Sequence, residues 1–145
     1  MYAVIQFARL SGFSPIVTIA SLHNAPLLQD LGATHVLDRK LPAKQLIADA
    51  TNIAGGSFHI VYNTVSTDET NDIAYTATAP GGTLVILEYL PELLAKGKAE
   101  GKNVHLGHGL FKAEINQDVG RSLLGALPGL LESGDIKASV CSPAK

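Results

Sequence analysis

Most of the polar residues that could do chemistry in this chain follow short apolar stretches of the kind that form buried strands. Ser21, His23 and Asn24 come after a β-branched stretch at residues 15–20. If such stretches are parallel strands, their carboxyl ends share one edge of a sheet, where α/β proteins bind nucleotides. We therefore predict a cofactor site from the residues that end or follow the first four stretches: Ser21, His23, Asn24, Asp38, Arg39, Asn63, Thr64, Leu87 and Glu88.

Two pairs among these candidates have a structural interpretation of equal weight. Ser21 and Asn24 can cap the helix that follows them, and a cap is compatible with a ligand role. Asn63 and Thr64 can form a strand-to-helix turn. The sequence leaves both interpretations open.

The charged candidates have weaker support as ligand-binding or catalytic residues. For Asp38 and Arg39 a solvated turn pair is favoured over direct contact with a ligand. Glu88 is an isolated carboxylate, and one carboxylate without a partner is weak evidence for general acid catalysis, so we interpret it as a surface residue. No catalytic residue is assigned.

Metal and nucleophile motifs are absent from the sequence. The five histidines show neither H-x-x-x-H nor H-E-x-x-H spacing. His105 and His108 lie three apart, but at a predicted strand end and loop. The single cysteine, Cys141, excludes an internal disulfide and a Cys-rich zinc site, and we interpret it as an incidental thiol. G-x-S-x-G is also absent, which argues against a serine hydrolase. We expect no metal.

Length and charge narrow the class of protein. A chain of 145 residues fits one domain with its own core. Its formal charge of -2 provides no positive field for nucleic acid or an anionic membrane. The first ten residues lack a signal-peptide pattern, and no apolar stretch is long enough to cross a bilayer. We expect a cytoplasmic protein with neither a nucleic-acid nor a membrane partner.

The elements that must position the candidate residues alternate along the chain. Apolar stretches predict strands at 15–20, 34–37, 59–63, 83–87 and 103–106. Helices are predicted at 2–11, after Asn24 up to Gly32, at 42–53, from a Ser66–Glu69 capping box to about 78, and at 116–132, with Pro128 shortening or kinking the last. Residues 79–82 are predicted to be a turn, and 88–102 are undecided. The alternation predicts a three-layer α/β fold with a parallel sheet.

Several runs of sequence resemble one family in their order and spacing. They are GFSPIVT at 12–18, ASLHN at 20–24, LGATHVLD at 31–38, APGGTLV at 79–85 and ESGDIK at 132–137. Together they resemble the medium-chain dehydrogenase/reductase superfamily. Within it they are most similar to the zinc-independent quinone-oxidoreductase and trans-enoyl-reductase branch of fungal type.

The resemblance implies a partial Rossmann domain over residues 1–145, without the family's barrel-like catalytic domain. The five predicted strands correspond to the family's second to sixth. The first, central strand and its Gly-rich turn have no counterpart, and G-x-G-x-x-G does not occur. In the Rossmann order 3-2-1-4-5-6, this leaves strands 15–20 and 59–63 on either side of a gap. They either pair directly or leave an opening of about 9–10 Å, with unsatisfied groups costing about 1–3 kcal/mol each. We therefore expect a marginal, aggregation-prone chain or one that depends on a partner strand.

The implied function is NADPH-dependent reduction of an activated C=C or C=O bond in a small molecule, a quinone or enoyl compound. Residues 20–24 contain no acid, and Arg39 is near, which suits the 2′-phosphate of NADPH. Without the Gly-rich turn we expect NADPH binding to be weak or lost and the chain to be inactive alone. Whether it forms a homo-oligomer is left open.

Two alternatives remain. The first is a non-catalytic fragment or a dinucleotide-binding or interaction module of the same lineage. The second is a binding module of another doubly wound class, such as a flavodoxin-like regulator. The run of family motifs and the lack of an acidic cluster at the first strand ends argue against the second. NADPH binding and turnover by this polypeptide alone distinguish the first alternative from an active enzyme.

Overall fold

The computed structural model describes residues 2–107 and 116–138, in which strands and helices alternate. His108, which is predicted to lie in a loop, and Cys141 fall outside these ranges. The strands are β1 Val17–Ala20, β2 His35–Asp38, β3 Phe58–Asn63, β4 Thr78–Ile86 and β5 Asn103–Leu106. The helices are α1 Tyr2–Leu10, α2 Ala25–Asp30 after a 3-10 turn at Leu22–Asn24, α3 Ala43–Ala54, α4 Asp68–Ala77, α5 Pro91–Glu100 and α6 Gln117–Glu132.

The strands form two parallel sheets. One contains β1 and β2, and the other has the order β3-β4-β5. This confirms the predicted Rossmann-like α/β fold with a parallel arrangement of five strands in the described residues. Of the two outcomes considered for the gap, the unpaired one is observed, because β1 and β3 share no ladder. We call the β1–β2 sheet with α1 and α2 the first half, and the β3–β4–β5 sheet with α4 and α5 the second half.

Each half has its own hydrophobic core. The core of the first half contains Ile5, Ala20, Leu28, Leu31 and Ala33. The core of the second half is built from Ala74 and Tyr75 of α4 with Leu84 and Ile86 of β4. No buried residue belongs to both clusters, so the sheets do not share one continuous core in the part of the chain described. Helix α3 contacts β1, β2 and α4, and it therefore connects the halves.

The segment after α6 is fixed to α1 by a buried amide. The backbone N–H of Lys137 donates to Gln6 Oε1 at 2.6 Å, and Gln6 Nε2 donates to the carbonyl of Lys137 at 3.2 Å. The Lys137 ammonium also contacts Asp30 at 2.7 Å. Because Gln6 is buried, this reciprocal pair satisfies an amide that would otherwise be costly to bury. The end of α6 thus packs on the first half.

The predicted capping box at Ser66 is wrong by one residue. The N-cap of α4 is Thr67, whose hydroxyl accepts from the backbone N–H of Thr70 at 3.3 Å, while Thr70 Oγ1 accepts from the N–H of Thr67 at 3.0 Å. Ser66 instead has a left-handed φ of 59°. Its N–H is taken by Asn63 Oδ1 at 3.3 Å, so the chain is still in the turn at this position. The Ser66 hydroxyl is buried and has no hydrogen-bond partner.

The predicted turn at 79–82 is part of β4. Phe58 pairs with Thr78, but Ile60 pairs with Thr83, so β4 carries a bulge opposite His59. A Cβ at Gly82 would lie 2.9 Å from the carbonyl oxygen of Ala79 and 3.0 Å from that of Phe58, which only glycine avoids. The undecided residues 88–102 contain α5, which ends at Gly101 with a φ of 70°. Pro128 lies inside α6 and does not shorten it.

Candidate functional site

The register of the strands brings the candidate residues to one edge in each half. Ala20 pairs with Asp38 at the carboxyl ends of β1 and β2. The backbone N–H of Arg39 donates to the carbonyl of Ala20 at 2.9 Å, so Ser21 and Arg39 begin neighbouring loops. In the second half the carboxyl end of β3, at Asn63, pairs with Ile86 of β4. The structure therefore groups the candidates into two sets, one per half.

The polar side chains after β1 are not used as helix caps. Ser21 precedes the 3-10 turn with an extended backbone, and its side chain makes no cap hydrogen bond. Asn24 at the start of α2 makes none either. His23 is exposed between them. The capping interpretation is therefore not supported, because neither Ser21 nor Asn24 caps a helix with its side chain.

Asp38 and Arg39 differ in how they are used. Asp38 Oδ1 accepts from the backbone N–H of Lys40 at 3.1 Å, which is a local turn interaction. The Arg39 side chain is exposed, and its guanidinium forms no salt bridge within the described residues. The solvated-turn interpretation thus fits the Asp38 carboxylate. Arg39 has its backbone fixed to β1 and its charge unused.

The Asn63 side chain makes its hydrogen bonds within the second half. It is 7% exposed. Its Nδ2 donates to Asn71 Oδ1 at 2.7 Å and to Thr70 Oγ1 at 3.2 Å. Its Oδ1 accepts from the N–H of Val65 at 3.2 Å and from that of Ser66. Both donors and both acceptor positions of the Asn63 amide are therefore occupied. The amide fixes the loop that follows β3 rather than offering a hydrogen bond to a ligand.

Apolar side chains are exposed in the loops of the same edge. Leu87 directly follows β4, and Tyr89 lies two residues further, with Glu88 exposed between them. Val65 is exposed after β3, and Leu22 is exposed after β1. Of these four residues only Leu87 is among the candidates predicted from the sequence, because the other candidates are polar or charged residues at strand ends. The signal of Leu22, Val65 and Tyr89 was an aromatic or aliphatic residue two or three positions after the end of a strand.

Neither a metal cluster nor a membrane helix is found among the described residues. In residues 2–107 and 116–138, no three or more His, Cys, Asp or Glu side chains lie close enough together to hold a metal ion. Over the same ranges, none of the helices combines the length and apolar character needed to cross a bilayer.

A buried tyrosine of the second half lies in a cluster of charged side chains between α4 and α5. Tyr75 is buried in α4 and its hydroxyl donates to Glu100 Oε2 at 2.8 Å. The ammonium groups of Lys96 and Lys102 lie 4.4 and 4.3 Å from the centre of its ring. Burial, followed by the hydrogen bond and the negative charge of Glu100, raises the pKa of Tyr75 to about 12. This cluster links α4 to α5 and to the residue before β5, so its role is structural.

Comparison with known proteins shows a match to one family. Residues 2–105 match the family model described as zinc-binding dehydrogenase. A comparison with curated protein sequences gives no significant match. A mycobacterial protein solved with NADPH is 20% identical with a TM-score of 0.73, over 96% of this chain and 44% of its own.

Other solved structures agree with that likeness. The quinone oxidoreductase of Escherichia coli complexed with NADPH is 20% identical with a TM-score of 0.74, over 97% of this chain and 44% of its own. A putative zinc-dependent alcohol dehydrogenase from Rhizobium etli is 22% identical with a TM-score of 0.74, over 94% of this chain and 41% of its own. The chain thus spans less than half the length of these proteins, and at these identities the likeness shows the fold.

Proposed function

The chain belongs to the zinc-binding dehydrogenase family, and we propose that it is the nucleotide-binding part of an NADPH-dependent oxidoreductase. The prediction of a medium-chain dehydrogenase/reductase is confirmed by this membership. The proposed reaction is reduction of an activated C=C or C=O bond in a quinone or enoyl compound. The bound cofactor would supply the hydride, and the residues of this chain would hold and orient the nucleotide.

The observation that carries the proposal is the composition of the paired strand ends of the first half. Residues 20–24 provide a hydroxyl, an imidazole and an amide but no carboxylate. NAD-preferring Rossmann domains place an acid at this point, to bind the ribose hydroxyls. Arg39 is fixed beside Ala20 and its guanidinium has no ion pair in the described residues. A free guanidinium next to small donors suits a 2′-phosphate, since arginine binds phosphate through charge-assisted hydrogen bonds.

The second half contributes less to the nucleotide in this proposal. The Asn63 amide is already satisfied, so it would act by shaping the loop at Thr64 rather than by touching the ribose or nicotinamide. Leu87 and Glu88 follow β4 and would border the same edge. The exposed apolar residues Val65 and Tyr89 would cover a flat ring or contact another domain.

The chain alone is proposed to bind NADPH weakly and to be inactive. The sequence has no G-x-G-x-x-G turn to hold the pyrophosphate, which is the strongest nucleotide interaction in this fold. No residue is assigned a catalytic role. We also propose that the chain holds no zinc, because its single cysteine and the spacing of its histidines provide no ligand set. A cytoplasmic location and the oligomeric state stay predictions.

Arg39→Ala tests the cofactor preference. We expect the affinity for NADPH to fall about tenfold while that for NADH is unchanged, because an exposed charge-assisted hydrogen bond contributes about 1.5 kcal/mol. Lys40→Ala is the matched control, as Lys40 is the next residue, exposed and of the same charge. Titration calorimetry with both nucleotides gives the comparison. Tighter binding of NADH, or an equal loss in the Lys40 variant, would contradict the proposal.

A non-catalytic interaction module is the second candidate. The exposed Val65, Leu87 and Tyr89 favour it, because apolar loops at one edge suit contact with another protein or domain. Titrating the purified chain with NADPH separates the candidates, because a nucleotide-binding part is expected to bind NADPH saturably and an interaction module is not. Oxidation of NADPH by the chain with a quinone would contradict both candidates, since both are inactive alone.

A further inference from the structure

The loop after β2 is a tight turn that begins at Asp38. The carbonyl of Asp38 accepts from the backbone N–H of Leu41 at 3.0 Å, which places Arg39 and Lys40 at the central positions of the turn. The Asp38 carboxylate adds a second bond, since its Oδ1 accepts from the backbone N–H of Lys40 at 3.1 Å. Aspartate is favoured at the first position of such turns, because its short side chain reaches the amide two residues further along. The Asp38 side chain therefore fixes the backbone on the far side of Arg39.

The same turn is also held by β1. Ala20 pairs with Asp38 in the register of the strands, and its carbonyl accepts from the backbone N–H of Arg39 at 2.9 Å. The backbone amides of residues 39 to 41 are thus each hydrogen-bonded, either to β1 or to Asp38. Neither Arg39 nor Lys40 has a positive φ, so the turn needs no left-handed backbone. The point from which the Arg39 side chain extends is therefore fixed relative to the ends of β1 and β2.

The Asp38 carboxylate fixes this turn without neutralising Arg39. Asp38 is half-buried and Arg39 is exposed, and no salt bridge joins them in the part of the chain that the structure describes. An ion pair between these neighbours would weaken the attraction of Arg39 for a phosphate, because opposite charges at short range offset each other. The carboxylate is instead hydrogen-bonded to the backbone. The guanidinium keeps its charge available for a ligand.

We propose that Asp38 is a positioning residue for the selection of NADPH, because its carboxylate holds the turn that presents Arg39. The inference rests on the proposed function, in which Arg39 binds the 2′-phosphate. Asp38 is predicted from the sequence among the cofactor-binding residues, and in this proposal it acts through Arg39 rather than by touching the nucleotide. An arginine held in place binds more tightly than a mobile one, since less conformational entropy is lost on binding. The position of Oδ1, rather than the negative charge of Asp38, then determines the affinity for NADPH.

Two conservative variants separate the position of the oxygen from its charge. Asp38→Asn keeps a side-chain oxygen that can accept from the Lys40 N–H but removes the charge, whereas Asp38→Glu keeps the charge and displaces the oxygens by a methylene group. We expect Asp38→Asn to bind NADPH at least as tightly as the unaltered chain, and Asp38→Glu to bind it about threefold more weakly. The affinity for NADH should stay unchanged in both, because NADH has no 2′-phosphate. Titration calorimetry with both nucleotides measures these affinities.

Asp72 provides the matched control, because it is an exposed aspartate on α4 in the second half. Asp72→Asn removes the same charge and Asp72→Glu makes the same extension, and neither should change the ratio of NADPH to NADH affinity. A double variant tests the coupling to Arg39. In an Arg39→Ala background, Asp38→Glu should cause no further loss of NADPH affinity, since both changes act on one contact.

NMR tests the turn without any nucleotide. We expect the backbone heteronuclear NOE of residues 39 to 41 to fall in Asp38→Glu and to be retained in Asp38→Asn. An unchanged NOE in Asp38→Glu would overturn the proposal, and so would equal losses for NADPH and NADH. Weaker NADPH binding by Asp38→Asn with normal binding by Asp38→Glu would show that charge is the determinant. If Arg39→Ala leaves NADPH affinity unchanged, the proposed function fails, whereas a loss in Arg39→Ala without one in Asp38→Glu contradicts the role of Asp38 alone.

Discussion

The two halves of the molecule use their polar side chains in opposite ways. In the first half, Ser21, His23 and Arg39 stand at the strand ends without cap or salt-bridge partners within the described residues. In the second half, the Asn63 side chain donates to Thr70 and Asn71 of α4 and accepts from the loop after β3. Tyr75 lies between two lysines and Glu100. The proposed recognition of the nucleotide and the polar contacts that stabilise a fold therefore lie in different halves, with the proposed recognition in the half that has fewer strands.

Because the two halves have separate cores, we expect the largest losses of stability to be confined to the half that is substituted. Leu28 in the first half and Leu84 in the second are both fully buried, so Leu28→Ala and Leu84→Ala should each lower the free energy of unfolding by about 2–5 kcal/mol. Because the two core clusters share no residue, we expect faster hydrogen exchange mainly in the half that carries each substitution. Equal acceleration in both halves from either variant would show one cooperative unit. The exposed Leu131→Ala serves as the control, with an effect within about 0.5 kcal/mol.

Asn63→Ala tests whether the amide network stabilises the second half. The substitution removes four hydrogen bonds and leaves the buried Asn71 amide oxygen unpaired. We expect a loss of about 2–3 kcal/mol in denaturant unfolding. Thr64→Ala, at the next position, should change stability by less than about 0.5 kcal/mol. If Thr64→Ala is the more damaging change, the network does not have the role assigned to it.

The Tyr75 cluster predicts a loss of stability at high pH. Its pKa is raised from 10.0 to about 12, so the folded state holds the phenol proton more tightly than the unfolded state. The stabilisation is therefore complete below pH 10 and is lost as the pH rises towards 12, by about 2–3 kcal/mol in total. Lys96, Lys102 and Glu100 face the ring and are present in both of the chains to be compared. The measured quantity is thus the difference between the unaltered chain and Tyr75→Phe. Identical pH profiles would contradict the assignment.

The smallest expected effect is a gain of stability at Ser66. Its φ of 59° is in the left-handed region that glycine adopts without penalty, and its buried hydroxyl has no partner. We expect Ser66→Gly to stabilise the second half by about 1 kcal/mol in thermal unfolding. Ser66→Ala removes the hydroxyl but keeps the side chain, so it should gain less than the glycine variant. A loss of stability in Ser66→Gly would mean that the hydroxyl or the strain is compensated elsewhere.

How far the sequence predicts the structure also differs between the halves. The strands of the first half and the ends of β3 and β5 were predicted to within two residues, because short β-branched stretches bounded by glycine and polar residues have one simple interpretation. The bulge in β4 was missed, because Pro80 and Gly81 are typical turn residues and only the register with β3 makes them part of a strand. The sequence does not identify the cap at Thr67, because the S-x-x-E pattern at Ser66 also fits a capping box. Only the hydrogen bond from the Ser66 N–H to Asn63 Oδ1 shows that Ser66 still belongs to the turn.

The candidate site follows the same distinction. The sequence predicted which residues lie at the carboxyl edge, since that follows from the order of strands and helices. The sequence does not separate Asn63, whose amide is hydrogen-bonded internally, from Arg39, whose guanidinium has no ion pair within the described residues, since both are polar residues at strand ends. That difference depends on Thr70 and Asn71, which become neighbours of Asn63 only when α4 packs beside β3.

The most direct test of the account is to map adenosine 2′,5′-bisphosphate on the isotope-labelled chain by NMR. This ligand carries the 2′-phosphate that distinguishes NADPH from NADH, and it lacks the pyrophosphate that a Gly-rich turn would hold. We predict dose-dependent shifts at Ser21, His23, Asn24 and Arg39, with small changes at Asn63, and at least fivefold weaker effects from 5′-AMP at the same concentration. Shifts confined to the second half, or equal responses to the two ligands, would contradict the claim that the first half recognises the 2′-phosphate.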